Sequence, residues 1–220
     1  METNLTELVF ILDRSGSMGG LENDTIGGFN SMLAKQQAEP GECRITTVLF
    51  DNQYEVLHDR IDIKAVSPMT DKEYYVRGST ALLDAVGTSI NKIGGVQKNT
   101  MEDYRAEKVL FVITTDGMEN ASRKFSYNRI KSMIEHQKSK YGWEFIFLGA
   151  NIDAADVAER CGVAHTHAHR FHNDSKGIAL NYEAIEETVR SFRAAPAGTP
   201  ISDDWSAKID ADFKKRRGKK

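Results

Sequence analysis

Asp13, Ser15 and Ser17 alternate along FILDRSGSMGG (10–20), where an apolar run ends in an acid followed by two hydroxyls within a glycine-punctuated turn. Two chemistries fit. Asp, Ser and Gly are the residues that any strand exit recruits to bond its own backbone. Carboxylate and hydroxyl oxygens are also the ligands that hard cations such as Mg²⁺, Mn²⁺ or Ca²⁺ select. Two further stretches carry the same atoms: Gly78, Ser79 and Thr80 in VRGSTALLDAV, and Thr115, Asp116 and Gly117 in TTDG. Ser79 or Thr80 alone would serve as a helix N-cap. Brought to one place, oxygen-bearing side chains from these three stretches would form a cation site.

Whether they meet depends on the elements that carry them. Four apolar, β-rich runs, ELVFILD (7–13), RITTVLFD (44–51), KVLFVITTD (108–116) and WEFIFLGA (143–150), read as strands covered on both faces. Helical spacing lies between them. Ile26, Phe29 and Leu33 mark a first helix, Leu82, Leu83, Val86, Ile90 and Ile93 a second, and Ile130, Met133 and Ile134 a third. A short helix over about 152–160 and a longer one carrying Ile178, Tyr182, Ile185, Val189 and Phe192 complete the series. The alternation predicts a doubly wound, Rossmann-like α/β sheet with helices on both faces. The DN before QYEVLH leaves too little chain for a crossover helix, so a hairpin and one antiparallel edge strand at about 53–59 are expected. In open parallel sheets ligands bind beyond the carboxyl ends of the strands. Asp13 and Asp116 both follow strands, and Thr80 opens a helix, so all three segments converge on one edge.

In that context Asp13-x-Ser15-x-Ser17, Thr80 in GST and Asp116 in TTDG resemble the metal-ion-dependent adhesion site of von Willebrand factor A domains. The resemblance covers about residues 5–192, and the type is the intracellular bacterial or phage one. It implies a six-stranded sheet with one antiparallel edge strand, the sixth strand falling near VAHTHAHRFH. It also implies direct ligation of a divalent ion, Mg²⁺ or else Mn²⁺ or Ca²⁺, by the hydroxyls of Ser15, Ser17 and Thr80. Asp13 and Asp116 would act largely through water, and an Asp or Glu of a protein partner would complete the coordination. Intracellular members of the family work beside AAA+ ATPases or in stress-response assemblies, and the resemblance admits such a partner.

Enzymatic readings fit less well, and no enzyme is expected. A Mg²⁺-dependent phosphotransferase or hydrolase of haloacid dehalogenase type also places an Asp after its first strand, but it needs a second acid two residues on as proton donor. Ser15 stands there. RSGSMGG lacks the spacing of a dinucleotide fingerprint, and the chain has no Gly-Lys-Ser/Thr loop. No nucleophile elbow accompanies Ser17. His165, His167 and His169 alternate, with His172 following. On a strand the first three would share a face, either a solvated edge or a Zn²⁺ or Ni²⁺ site. His58 and His136 read as surface or boundary residues. Arg14, Arg77, Glu119, Asn120 and Arg123 flank the metal residues and read as a rim, either solvated or selecting a partner by charge. Gly27 and Gly28, inside the first helix, are expected where a neighbouring element packs close.

Composition sets the remaining bounds. At 40% hydrophobic and 28% charged residues, the 220-residue chain has no apolar run near the roughly 20 residues of a membrane span. The start, METNLTELVF, has no basic n-region, so an intracellular, cytoplasmic site of action is expected. Cys43 and Cys161 read as reduced, buried small hydrophobes rather than a disulfide. One domain is expected over 1–193. Residues 194–220 read as a flexible tail in which only Trp205, Ile209 and Phe213 point to a short helix. The last seven residues, KKRRGKK, hold six basic side chains, leaving 23 basic against 32 acidic, a net −9, in the first 213. Nucleic acid is not an expected partner, except through that basic tail.

Overall fold

Near-continuous apolar runs become strands buried on both faces. β1 (Thr6–Asp13) is buried along its whole length. Successive side chains of a strand point to opposite faces. Leu8, Phe10 and Leu12 therefore enter one core, and Val9 and Ile11 the other. The structure is a computed structural model and describes residues 4–150 and 154–217.

β1 pairs in parallel with β2 (Cys43–Phe50) on one side and β4 (Lys108–Thr115) on the other. β4 continues in parallel to β5 (Glu144–Ala150), and β5 to β6 (Ala168–Phe171). β3 (Tyr54–Asp62) lies antiparallel on β2 as the edge strand, giving the order β3-β2-β1-β4-β5-β6. The expected hairpin strand thus runs on to Asp62, past two register shifts around Thr47. The chain leaves β1 for β2 on one side and returns to β4 on the other. The carboxyl ends of β1 and β4 are therefore the topological switch point, the crevice where open α/β sheets bind ligands.

Helices α1 (Glu22–Ala38) and α5 (Ser175–Ala194) cover one face, and α2 (Leu82–Asn99), α3 (Tyr127–Tyr141) and α4 (Ala154–Cys161) the other. The expected start of α4 at 152–153 lies outside the described residues. Of the paired glycines in α1 only Gly28 is needed for close packing. A Cβ there would stand 2.2 Å from the Tyr182 ring of α5, whereas one on Gly27 would meet nothing within 4 Å.

The segment set apart at 193 by composition continues the core. Ile201 and Ile209 are buried at 7% and 2% exposure, and Trp205 packs against the same cluster as Phe192. α6 (Ala207–Arg217) is the helix marked by Ile209 and Phe213. The histidines explain the docking and correct the shared-face reading. His165 and His167 lie in a 3-10 turn, and only His169 is on β6. His169 bonds Asp210 of α6 at 3.0 Å and meets Trp205 edge-on, while His172 stacks on Phe213. The turn takes His165 and His167 off the strand, and among the described residues no group of three or more His, Cys, Asp and Glu side chains is placed to hold a metal ion. His58 is buried too, bonded to Thr47 and stacked on Phe29, because the bulged hairpin turns it onto the core. Residues 218–220 of the basic tail lie outside the described residues.

Candidate metal centre

The five oxygen-bearing residues meet. Asp13 ends β1, Ser15 and Ser17 follow in a tight 3-10 turn at Gly16–Met18, Thr80 precedes α2, and Asp116 follows β4. Thr80 Oγ1 donates to Ser15 Oγ at 3.0 Å, Ser15 and Ser17 Oγ lie 3.1 Å apart, and Ser17 Oγ donates to Asp116 Oδ1 at 2.5 Å. Asp13 accepts from Ser15 N at 2.7 Å and from Thr115 Oγ1 at 2.5 Å. Asp13, Ser15, Thr80 and Asp116 are each at most 3% exposed, whereas Ser17 is exposed. Four groups are therefore fixed by the interior, and the fifth opens the cluster to solvent.

Three loops hold this arrangement. Tyr74 Oη donates to the Asp13 carbonyl at 2.6 Å from a fully buried position. The first N–H groups of α2 would be orphaned without outside acceptors. Asn120 Oδ1 takes Thr80 N, the Asp51 carbonyl takes Ala81 N, and the Glu119 carboxylate takes Leu83 N at 2.9 Å. Glu119 and Asn120, expected at a rim either solvated or partner-selecting, thus set the position of Thr80. Arg14 is likewise no rim residue: its side chain is 0% exposed, 3.3 Å from Asp51 and 2.6 Å from Glu55. Arg77 pairs with the same Asp51 at 2.6 Å, and both guanidiniums lie over the Tyr75 ring.

Two partners of the cluster were not among the expected site residues. Thr115, at the end of β4, donates its hydroxyl to Asp13. Asn173 donates its amide to Asp116 Oδ2 at 2.8 Å, and its own Oδ1 is buried without a partner. Asn173 follows β6 at the same edge, so extending the strand-end comparison to the sixth strand would have found it.

Both carboxylates sit in an environment that disfavours their charge. Burial pushes Asp13 up to about 6, against the pull of the Thr115 and Ser15 hydrogen bonds. Burial also raises Asp116, opposed by Ser17 and Asn173. Their partners are hydroxyls, a backbone N–H and an amide, which donate hydrogen bonds without supplying positive charge. A divalent cation would supply it. The donor set fits such an ion, being all oxygen with two carboxylates. The backbone opposite leaves room as well: a Cβ on Gly117 would stand 2.7 Å from Thr80 Oγ1, 3.0 Å from Ser17 Oγ and 3.6 Å from Ser15 Oγ, in the hollow the three hydroxyls face.

By sequence the chain matches no protein-family model and no curated protein. By structure it resembles the vWF domain of the type V pili tip protein Mfa5 from Porphyromonas gingivalis, with a TM-score of 0.61 at 12% identity over 88% of this chain and 98% of that one. It also resembles a von Willebrand factor type A protein from Catenulispora acidiphila, TM-score 0.55 at 12% identity over 84% and 42%. A third resemblance is to proximal thread matrix protein 1 of the mussel byssus, solved with zinc in its MIDAS motif, TM-score 0.57 at 11% identity over 84% and 46%. The chain spans less than half of that mussel protein and 63% of the PilB minor pilin from Streptococcus sanguinis, which it also resembles. No helix among the described residues is long and apolar enough to cross a membrane. With its strand order and the oxygen cluster at the switch point, the chain has the von Willebrand factor type A fold, and the cluster has the make-up of a metal-binding site on it.

Proposed function

We infer that this chain is a metal-dependent protein-interaction module in which a divalent cation bridges the cluster to an acidic side chain of another protein. One observation carries the reading. Three hydroxyls and a carboxylate, from three separate loops, touch in series below a glycine whose Cβ would fill their common hollow. Ser15, Ser17 and Thr80 would ligate the ion directly, and Asp13 and Asp116 would hold its waters. The ion would supply a Lewis-acidic position for an incoming carboxylate. An all-oxygen set of hydroxyls and carboxylates favours a hard cation, Mg²⁺ or else Mn²⁺ or Ca²⁺.

A binding role rather than turnover is supported by Asp13 itself. Both of its oxygens accept hydrogen bonds from fixed donors, and Ser15 stands where a haloacid dehalogenase-type enzyme keeps its proton donor. We place the module in the cytoplasm, where Cys43 and Cys161, buried in the cores on opposite faces of the sheet, would remain free thiols. The partner there is proposed as a protein presenting an Asp or Glu, with an AAA+ ATPase or a stress-response assembly among the kinds the family resemblance admits.

Calorimetry with Mg²⁺ and Mn²⁺ tests the reading. One ion per chain is expected, lost in Ser15→Ala and in Gly117→Ala while circular dichroism stays native. Unchanged binding in both folded variants would place the ion elsewhere, and no binding at millimolar metal would end the metal reading.

A further inference from the structure

Beside the metal cluster runs a groove of about 1010 Å³, walled by the turn at 52–54, the turn at 78–81 and the loop at 120–124. It adjoins the centre through shared backbone. Gly78, Ser79 and Ala81 line it on either side of Thr80, and Asn120, whose amide oxygen holds Thr80 N, lines it too. A chain bound at the ion would run straight into it.

The groove's charge is unusual for this molecule. The first 213 residues carry a net −9, yet two basic residues, Arg123 and Lys124, line this groove and are exposed. Other cations of this region are taken: Arg14 and Arg77 both pair with Asp51. Among the described residues Arg123 and Lys124 pair with no acid, although Asp84 lies beside them. The Asp84 carboxylate is occupied by the backbone N–H groups of Arg123, Lys124 and Phe125 at 2.8–3.0 Å. It fixes the loop and keeps its own charge, so the charged lining of the groove is Arg123 and Lys124 against Asp84, a balance of one positive charge. Two exposed basic side chains that pair with no acid among the described residues thus line a polar groove whose wall includes the neighbours of Thr80, on a loop tied down by Asp84.

We propose that the groove is a second anchor for the same partner, an extended acidic peptide with one carboxylate on the ion and a second, a few residues away, on Arg123 and Lys124. This rests on the metal-bridged reading and specifies the peptide it would select. An extended chain advances about 3.3 Å per residue, so spacings of two to six residues sample separations of about 7–20 Å between the two carboxylates. Against an acidic body, a diacidic peptide gains nothing from net charge and must be held by local cations.

The test uses fluorescein-labelled Gly/Ser dodecapeptides carrying one Asp, or two Asp at spacings of two to six residues. Anisotropy is read with the full chain in Mn²⁺ and in chelator. The expected result is metal-dependent binding of both kinds, with the best diacidic peptide at least about tenfold tighter, which corresponds to about 1.4 kcal/mol. In Arg123→Ala/Lys124→Ala the advantage should vanish while the one-Asp peptide and the calorimetric Mn²⁺ affinity are unchanged. Lys138→Ala/Lys140→Ala, the same charge change at the far end of α3, should keep the advantage. If the second Asp adds nothing at any spacing, or its effect survives in the Arg123/Lys124 variant, the second anchor is overturned and the metal-bridged reading stands. If neither peptide responds to Mn²⁺ that calorimetry shows bound, both fall.

Discussion

Asp13 and Arg14 are consecutive, both are buried, and they enter clusters of opposite kind. Arg14 turns to Asp51 and Glu55, and Arg77 joins them, so two cations and two acids neutralise one another within the protein. Asp13 turns the other way to a group with Asp116 and three hydroxyls, where like charges face donors that bear none. Burial costs a charge dearly unless a partner compensates it. The first cluster is compensated from inside and serves the fold. The second is left for an ion from outside, and that asymmetry separates a structural charge network from a functional one.

The largest expected effect is on the compensated side. Arg14→Ala should lower unfolding stability by about 3–5 kcal/mol, because it takes a partner from Asp51, whose side chain is fully desolvated. Denaturant unfolding reads it directly. A loss below about 1 kcal/mol would mean that Arg77 alone satisfies Asp51, and the contrast would fail.

Asp116→Asn sharpens the other side. Burial already disfavours the charge of Asp116, so the amide should cost little in chelator, or even raise the melting temperature. The wild-type chain should gain about 2.7 kcal/mol from an ion at one hundred times its Kd, and the variant should gain nothing. A variant that is destabilised in chelator and still responds to metal would show that Asp116 belongs with the structural acids.

The smallest effect comes from His58, where burial outweighs the opposing charge of Glu73. Burial holds its pKa below the ordinary value. The unfolded chain, with His near 6.5, therefore takes up the proton first, and His58 favours the fold fully above about pH 6.5 and less as pH falls. His58→Gln should flatten the stability profile between about pH 5 and 7 relative to wild type. Parallel profiles would show that other groups set the slope.

Local spacing wrote much of this molecule. Alternation and apolar runs gave β1, β2, β4 and β5, the two-residue DN link required an antiparallel β3, and strand ends and one helix start gave the oxygen-bearing segments, from which the family resemblance singled out five residues. These features are legible because a strand, a helix or a turn is decided by residues within a few positions of one another. What the fold alone decided are the partnerships across it. Thr115 reaches Asp13 from 102 residues away and Asn173 reaches Asp116 from 57, distances that no spacing rule spans. Arg14 reads as a rim residue by position, but only the approach of Asp51, Glu55 and Tyr75 buries it. The histidines read as one face of a strand until a 3-10 turn splits them and α6 packs over His169 and His172. A tail so rich in charge shows no apolar face of its own large enough to announce its docking. Ile209 is buried because β6 and α5 offer a surface that exists only once the sheet is complete.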